Sequence, residues 1–418
     1  MCPLWFNGQN LDMYTPPQKI IDNYAKVMVR FALNGGTGLK KGQTVLLVGT
    51  EVTKPLFMAC RREIYKAGGN VVMHYLPDNT SRSGADFDFY ANASSAQISH
   101  FPAKLHEGLL SDIDCSIYLY AETDMHTLEH ADPKKIIARS AAFNPWFKAY
   151  FAKTDAGKFF WTLCLYGTPA MAKEAGLSEK QYWQQIIDAC FLNEIDPIKK
   201  WKETFKAIAK YEQKLNRLTP KISKLHVEGL DADLWIGMGE KRKWMSGNGY
   251  NIPSFEIFTS PDCRKTEGWI RFNQPLFYQS NRIEGIELWF KDGRVIRFKA
   301  TKNEKLLKEM IKAKNANMIG EYSLTDRRLS RITKFMAETL YDENIGGKYG
   351  NTHLALGEAY KECYDGDRTN VSETEWKQLG FNDSPIHTDI MSTAPRTVTA
   401  HMKDGTTRVI YQDGEFIL

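Results

Sequence analysis

The 418 residues include 55 basic and 50 acidic side chains for a formal net charge of +5, with 43% hydrophobic and 25% charged residues. Both signs of charge are mixed along the chain, so nothing in this balance demands a nucleic-acid partner. The length exceeds what one hydrophobic core usually supports, and two domains of about 200 residues each are the expectation.

The first stretch, MCPLWFNGQNLDMYTPPQ, lacks a basic segment followed by an apolar one, and no later stretch approaches the uninterrupted apolar length of a membrane span. Seven cysteines, Cys2, Cys60, Cys115, Cys164, Cys190, Cys263 and Cys363, are scattered without a C-x-x-C pair, which does not read as a disulfide framework. A reducing, cytoplasmic setting without membrane attachment is expected. After Pro16-Pro17, QKIIDNYAKVMVRFAL repeats apolar residues at helical spacing until the glycines of NGGTGLKKGQ stop it. TVLLVGTEV then reads as a buried strand, PLFMACRREIYKAGG as a glycine-terminated helix and NVVMHYLPD as the next strand. Such alternation predicts a parallel sheet covered by helices.

The segment NTSRSGADFDFYANASSAQISH is polar and aperiodic, a loop or an inserted short element. IDCSIYLYA supplies another buried strand, followed by the helical ADPKKIIARSAAFNPWFKAY and by a long amphipathic helix over residues 198–217 that should end before Pro220. Beyond it the pattern turns to strands: KLHVEGLDADLWIGM, GWIRFN, RIEGIELWFKDGRVIRFKA with a hairpin at Asp292-Gly293, and TRVIYQDGEFIL with another at Asp413-Gly414. The expected division is an α/β domain with a mostly parallel sheet over residues 1–220, and an α+β domain rich in antiparallel strands over residues 221–418.

Several chemistries lack their signatures. LLVGTEVTKPLF has no G-x-G-x-x-G, so a Rossmann-like first domain need not bind a dinucleotide, and no P-loop or G-x-S-x-G occurs. His126-Thr-Leu-Glu129-His130 matches an inverted zinc-peptidase pattern, but it follows a strand and runs into Asp132-Pro133, which leaves no room for the helix that the motif needs. These residues are read as loop.

The second half is richer. His387 and Asp389 in FNDSPIHTDIM lie two apart, so on a strand they form a fork on one face that could hold a metal ion. Glu256 sits in the apolar run NIPSFEIFTSP, where a buried carboxylate must be paired, protonated or metal-bound. Glu321 follows a glycine in NANMIGEYSL, Glu343 lies near the end of FMAETLYDEN, and His353 and Tyr360 bound HLALGEAY. Taken singly, each reads as hydrogen-bonded or solvent-facing. Together they suit two divalent metals bridged by a carboxylate better than one structural zinc with sulfur ligands.

These motifs, in this order, resemble the M29 family of metallo-aminopeptidases over most of the chain. The resemblance implies that Glu256, Glu321, His353, His387 and Asp389 bind two divalent ions, zinc, cobalt or manganese. Glu343 would be a further ligand or a catalytic carboxylate, with Glu321 bridging and Tyr360 beside the substrate carbonyl. It implies a homodimer acting on peptides with a free N-terminus, without nucleic acid or membrane. Three departures stand out: IGGKYGNT widens the spacing between Glu343 and His353, DGDRTNVSETEWKQLGFND is an additional stretch, and the loop after Asp78 is extended. Two competing readings remain, a mononuclear non-haem iron ring-cleaving dioxygenase using His353, His387 and Asp389, and a non-catalytic binding homologue.

Overall fold

The computed structural model describes residues 13–247, 249–278 and 281–418; Cys2 and the rest of the first twelve residues, with part of the loop before Arg282, lie outside them. The first half of the chain builds the expected parallel sheet, in the order 70–76, 44–50, 115–120, 160–165, with residues 251–252 as a short fifth strand. Thr44–Thr50 is an interior strand, and its residues from Val45 onward are buried because helices cover both faces. Asn70–Leu76 forms one edge and is only partly covered.

The strand Phe160–Leu165 and the helix Glu179–Ala189 add to the elements expected from the sequence. The former follows the long helix Pro133–Asp155 closely, so its aromatic run offered no clear break. The polar segment after Asp78 contains two short helices, Phe87–Asn92 and Ser95–Ile98, each started by a side-chain cap from Asp86 or Ser94.

Two antiparallel sheets make up most of the second half. An eight-stranded one runs 294–299, 287–291, 266–271, 232–237, 222–229, 397–402, 407–412, 415–416. Both predicted hairpins occur in it, with positive φ at Asp292, Gly293, Asp413 and Gly414, the backbone that two-residue Asp-Gly turns demand. The other has five strands, 387–392, 351–357, 319–325, 256–259 and 245–246, all paired antiparallel.

One apolar core runs through both halves. Trp201, on the helix Pro197–Leu218, stacks against Phe31 of the N-terminal helical segment and against Phe255, the residue before Glu256. That packing fixes the start of the strand Glu256–Thr259 relative to the parallel sheet. Asn251 and Ile252, just upstream, pair with Leu163 and Cys164 of that sheet.

Candidate metal centre

The five-stranded sheet gathers the predicted ligands on one face. Ala355 is the middle of a rung, with Glu321 opposite it on one neighbouring strand and Asp389 on the other. His353 lies two residues before Ala355 and His387 two residues before Asp389, so the two-residue period keeps all of them on one side. Glu256 opens the strand paired to the far side of Ile319–Thr325, opposite Thr325. Small residues, Ala355 and Gly357, occupy the middle of this face and leave the space into which longer side chains converge.

The distances show how close that convergence is. His353 Nε2 lies 3.4 Å from Glu256 Oε2 and 3.4 Å from Glu321 Oε1, and His387 Nε2 lies 3.1 Å from Glu321 Oε2 and 3.3 Å from Asp389 Oδ1. Two groups of metal-binding atoms result, Glu256–Glu321–His353 and Glu321–His387–Asp389, the atoms of each within 4.8 Å of one another. Glu321 belongs to both, one carboxylate oxygen turned toward each imidazole.

Supporting contacts orient these groups. His387 Nδ1 faces the Glu358 carbonyl oxygen at 2.7 Å, which places the proton on Nδ1 and leaves Nε2 as the free donor atom. Glu256 accepts from Ser323 Oγ at 3.1 Å and Ser254 Oγ at 3.4 Å. His387 Nε2 and Asp389 Oδ1 are buried and, though within ion-pair distance of each other, are not aligned for a hydrogen bond. Buried polar atoms of this kind are seldom left alone, and a cation accepts both lone pairs. The donors, carboxylate oxygens and imidazole nitrogens without thiolate, fit a divalent ion.

The electrostatics point the same way. Burial raises Glu256 to about 7, with His353 pulling it down and Glu321 and Asp389 pushing it up. Burial lowers His353, but Glu321, Glu256 and Asp389 outweigh it and raise the imidazole to about 9. His387 is likewise depressed by burial and raised well above its ordinary value by Asp389 and Glu321. Burial would raise Asp389, yet His387 and His353 hold it below the usual carboxylate range. Protons thus neutralise the carboxylates where dications could do so instead.

Glu343 stands apart from both ligand groups. Its Oε1 accepts from Asn251 Nδ2 at 3.4 Å and Asn344 Nδ2 at 3.3 Å, and burial together with Glu256, Asp389 and Glu321 raises its carboxyl well above the ordinary value. It sits at the margin of the cluster. Tyr360 lies beside His387, its ring centroid 4.7 Å from that of the imidazole and 40% of its surface exposed. The structure therefore brings all seven predicted residues to one place, five as candidate ligands and two beside them.

Ser254, Ser323, Glu358, Asn251 and Asn344 were not foreseen. The motif residues NIPSFEIF and IGEYSL contain the two serines, but only the fold shows which hydroxyl faces a ligand. His126, Glu129 and His130 lie in turns, as expected; His126 contacts Glu174 at 3.3 Å and Glu129 at 3.7 Å on the surface, and they form no metal-binding group among the described residues.

Residues 17–416 match the family model described as thermophilic metalloprotease (M29). The chain belongs to this family. It is 27% identical to Aminopeptidase PepS of Streptococcus thermophilus, with 95% of this chain and 98% of that protein aligned, and 24% identical to Aminopeptidase T of Thermus aquaticus over 94% and 98%. The fold is that of wild-type AmpT from Thermus thermophilus, with a TM-score of 0.81 at 23% identity, covering 96% of this chain and 100% of that one. As an M29 metalloprotease the chain is a hydrolase that uses divalent metal. No helix among the described residues is long and apolar enough to cross a membrane.

Proposed function

We propose that this M29 hydrolase is an aminopeptidase that removes the N-terminal residue of peptides at a dinuclear site. Glu256, Glu321 and His353 would hold one divalent ion and Glu321, His387 and Asp389 the other, the ions being zinc, cobalt or manganese. The observation that carries the reading is the membership of Glu321 in both ligand groups. The relatives named as aminopeptidases support the substrate class.

A cation pair supplies a hydroxide near neutral pH and polarises a carbonyl. The protein's own groups do the rest. Glu321 fixes the spacing of the two ligand groups, because one rigid carboxylate serves both. The Tyr360 hydroxyl, at the open margin, donates to the oxyanion that develops on the scissile carbonyl. Glu343, whose carboxyl is raised well above its ordinary value by burial among carboxylates, would deliver a proton to the departing amine. The cleft would be walled by the domain of residues 1–220 and closed further in a homodimer, a state that sedimentation measures directly.

The test combines elemental analysis with a panel of aminoacyl amides, with and without metal. Two ions per chain and metal-dependent cleavage are expected. Glu321→Gln should lose cleavage by about 100-fold or more while remaining folded. One tightly held iron per chain and no amide cleavage would overturn the proposal and favour the dioxygenase reading.

A further inference from the structure

Tyr360 lies beyond the end of the strand Asn351–Gly357, in a connection that no sheet pairing holds. Its backbone is fixed from a neighbouring strand instead. The Tyr360 N–H donates to Ser260 Oγ at 2.9 Å, and Ser260 is fully buried one residue past Glu256–Thr259, the strand that begins with a metal-ligand candidate. Phe258 of the same strand packs against the Tyr360 ring with centroids 5.5 Å apart.

Ser260 is in turn held by Arg242, only 3% exposed. This guanidinium donates to three backbone carbonyls from three separate segments: Glu240 at 2.7 Å, Ser260 at 2.6 Å and Leu379 at 2.7 Å. It also lies 3.7 Å over the Phe381 ring. Burial lowers its pKa to about 10, opposed by Asp262, whose carboxylate is itself bonded to Arg264. A buried charge bonded chiefly to carbonyls is a costly device, and it persists where it determines a geometry.

Leu379 ends the helix Glu373–Leu379, which belongs to the additional stretch of residues 365–383. That stretch contributes Trp376 and Phe381 to a small core with Ala359, Cys363 and Tyr364, against which Phe258 also packs. The segment carrying Tyr360 is therefore gripped between the metal-bearing strand and the additional stretch, with Arg242 joining the two.

We propose that Ser260 and Arg242 are positioning residues for Tyr360, and that the stretch 365–383 is the buttress through which they act. The proposal rests on the role given to Tyr360 above. Ser260 touches no substrate in this account; it sets where the phenol stands relative to His387. The interaction matters when charge develops on the carbonyl oxygen, so its loss falls on kcat and leaves KM nearly unchanged.

A double-mutant cycle on the metal-loaded full-length enzyme tests this. Tyr360→Phe should lower kcat about 100-fold. Ser260→Ala should lower it about tenfold with KM within about twofold, two ions still bound, and less than about twofold further loss when added to Tyr360→Phe. Arg242→Lys, run through the same cycle, should show the same coupling. If Ser260→Ala and Arg242→Lys slow the Tyr360→Phe enzyme as much as they slow the wild type, their role is general stability and the positioning proposal fails while that of Tyr360 stands. If Tyr360→Phe keeps wild-type kcat, both fail.

Discussion

His353 illustrates how a single imidazole is committed by its surroundings. With only 2% of its surface exposed, it would be neutral in an apolar pocket, yet Glu321, Glu256 and Asp389 keep it protonated up to about pH 9. A metal must displace that proton, and also the proton that Glu256 holds up to about pH 7. The sign follows: lower pH favours the protonated ligands, so the apparent metal affinity should rise from pH 6 and level off above about 9. Isothermal titration with zinc or manganese across that range measures it, and a flat profile would contradict the pKa assignments. Glu343 differs because it belongs to neither ligand group. Glu343→Gln should keep both ions and lower kcat by about 10- to 100-fold, whereas loss of an ion on elemental analysis would make Glu343 a ligand.

Strand pairing explains why ligands so far apart in the chain meet. The register between Ile319–Thr325 and Asn351–Gly357 shifts between Ile319 and Glu321, so Gly320 lies at an irregularity just before the shared carboxylate. A Cβ there would run into the carbonyl oxygens of Gly357 and Glu358, the latter being the acceptor for His387. Gly320→Ala should therefore disturb Glu321 and His387 together, costing about 2 kcal/mol or more in denaturant unfolding and weakening metal binding. Ala355 plays the complementary part: its small side chain leaves room between Glu321 and Asp389. Ala355→Leu should fill that room and abolish binding of at least one ion, with the far-ultraviolet circular dichroism of the fold retained.

At the scale of the molecule, the parallel sheet has the flavodoxin-like strand order of a nucleotide-binding fold without a phosphate cradle. The backbone N–H of Val52, after the strand Thr44–Thr50, is taken by Asp78, and those of Thr123 and Asp124, after the adjacent central strand, by Asn79. Donors that would face a phosphate in such a fold are satisfied internally. The candidate metal centre instead brings four carboxylates, Glu256, Glu321, Glu343 and Asp389, into mutual repulsion inside the protein. Metal bound only by the folded state stabilises it by about 2.7 kcal/mol at 100 times Kd. Removing it with a chelator should lower Tm by about 3 °C or more, with recovery on adding back the ion; an unchanged Tm would mean that the cluster holds no metal in the folded protein.

The sequence by itself determined the alternation of buried strands and glycine-stopped helices in the first half and the Asp-Gly hairpins of the second. These are local matters: periodicity, turn backbone and residue type act over a few positions. Motif order also sufficed for the family. Other features depended on contacts between distant segments. Why Glu343 stands outside both ligand groups despite its motif, and how Ser260 and Arg242 hold Tyr360, followed only from strand register and packing. A strand's neighbours set where its side chains converge, and those neighbours are chosen by tertiary burial, which no short window of residues contains.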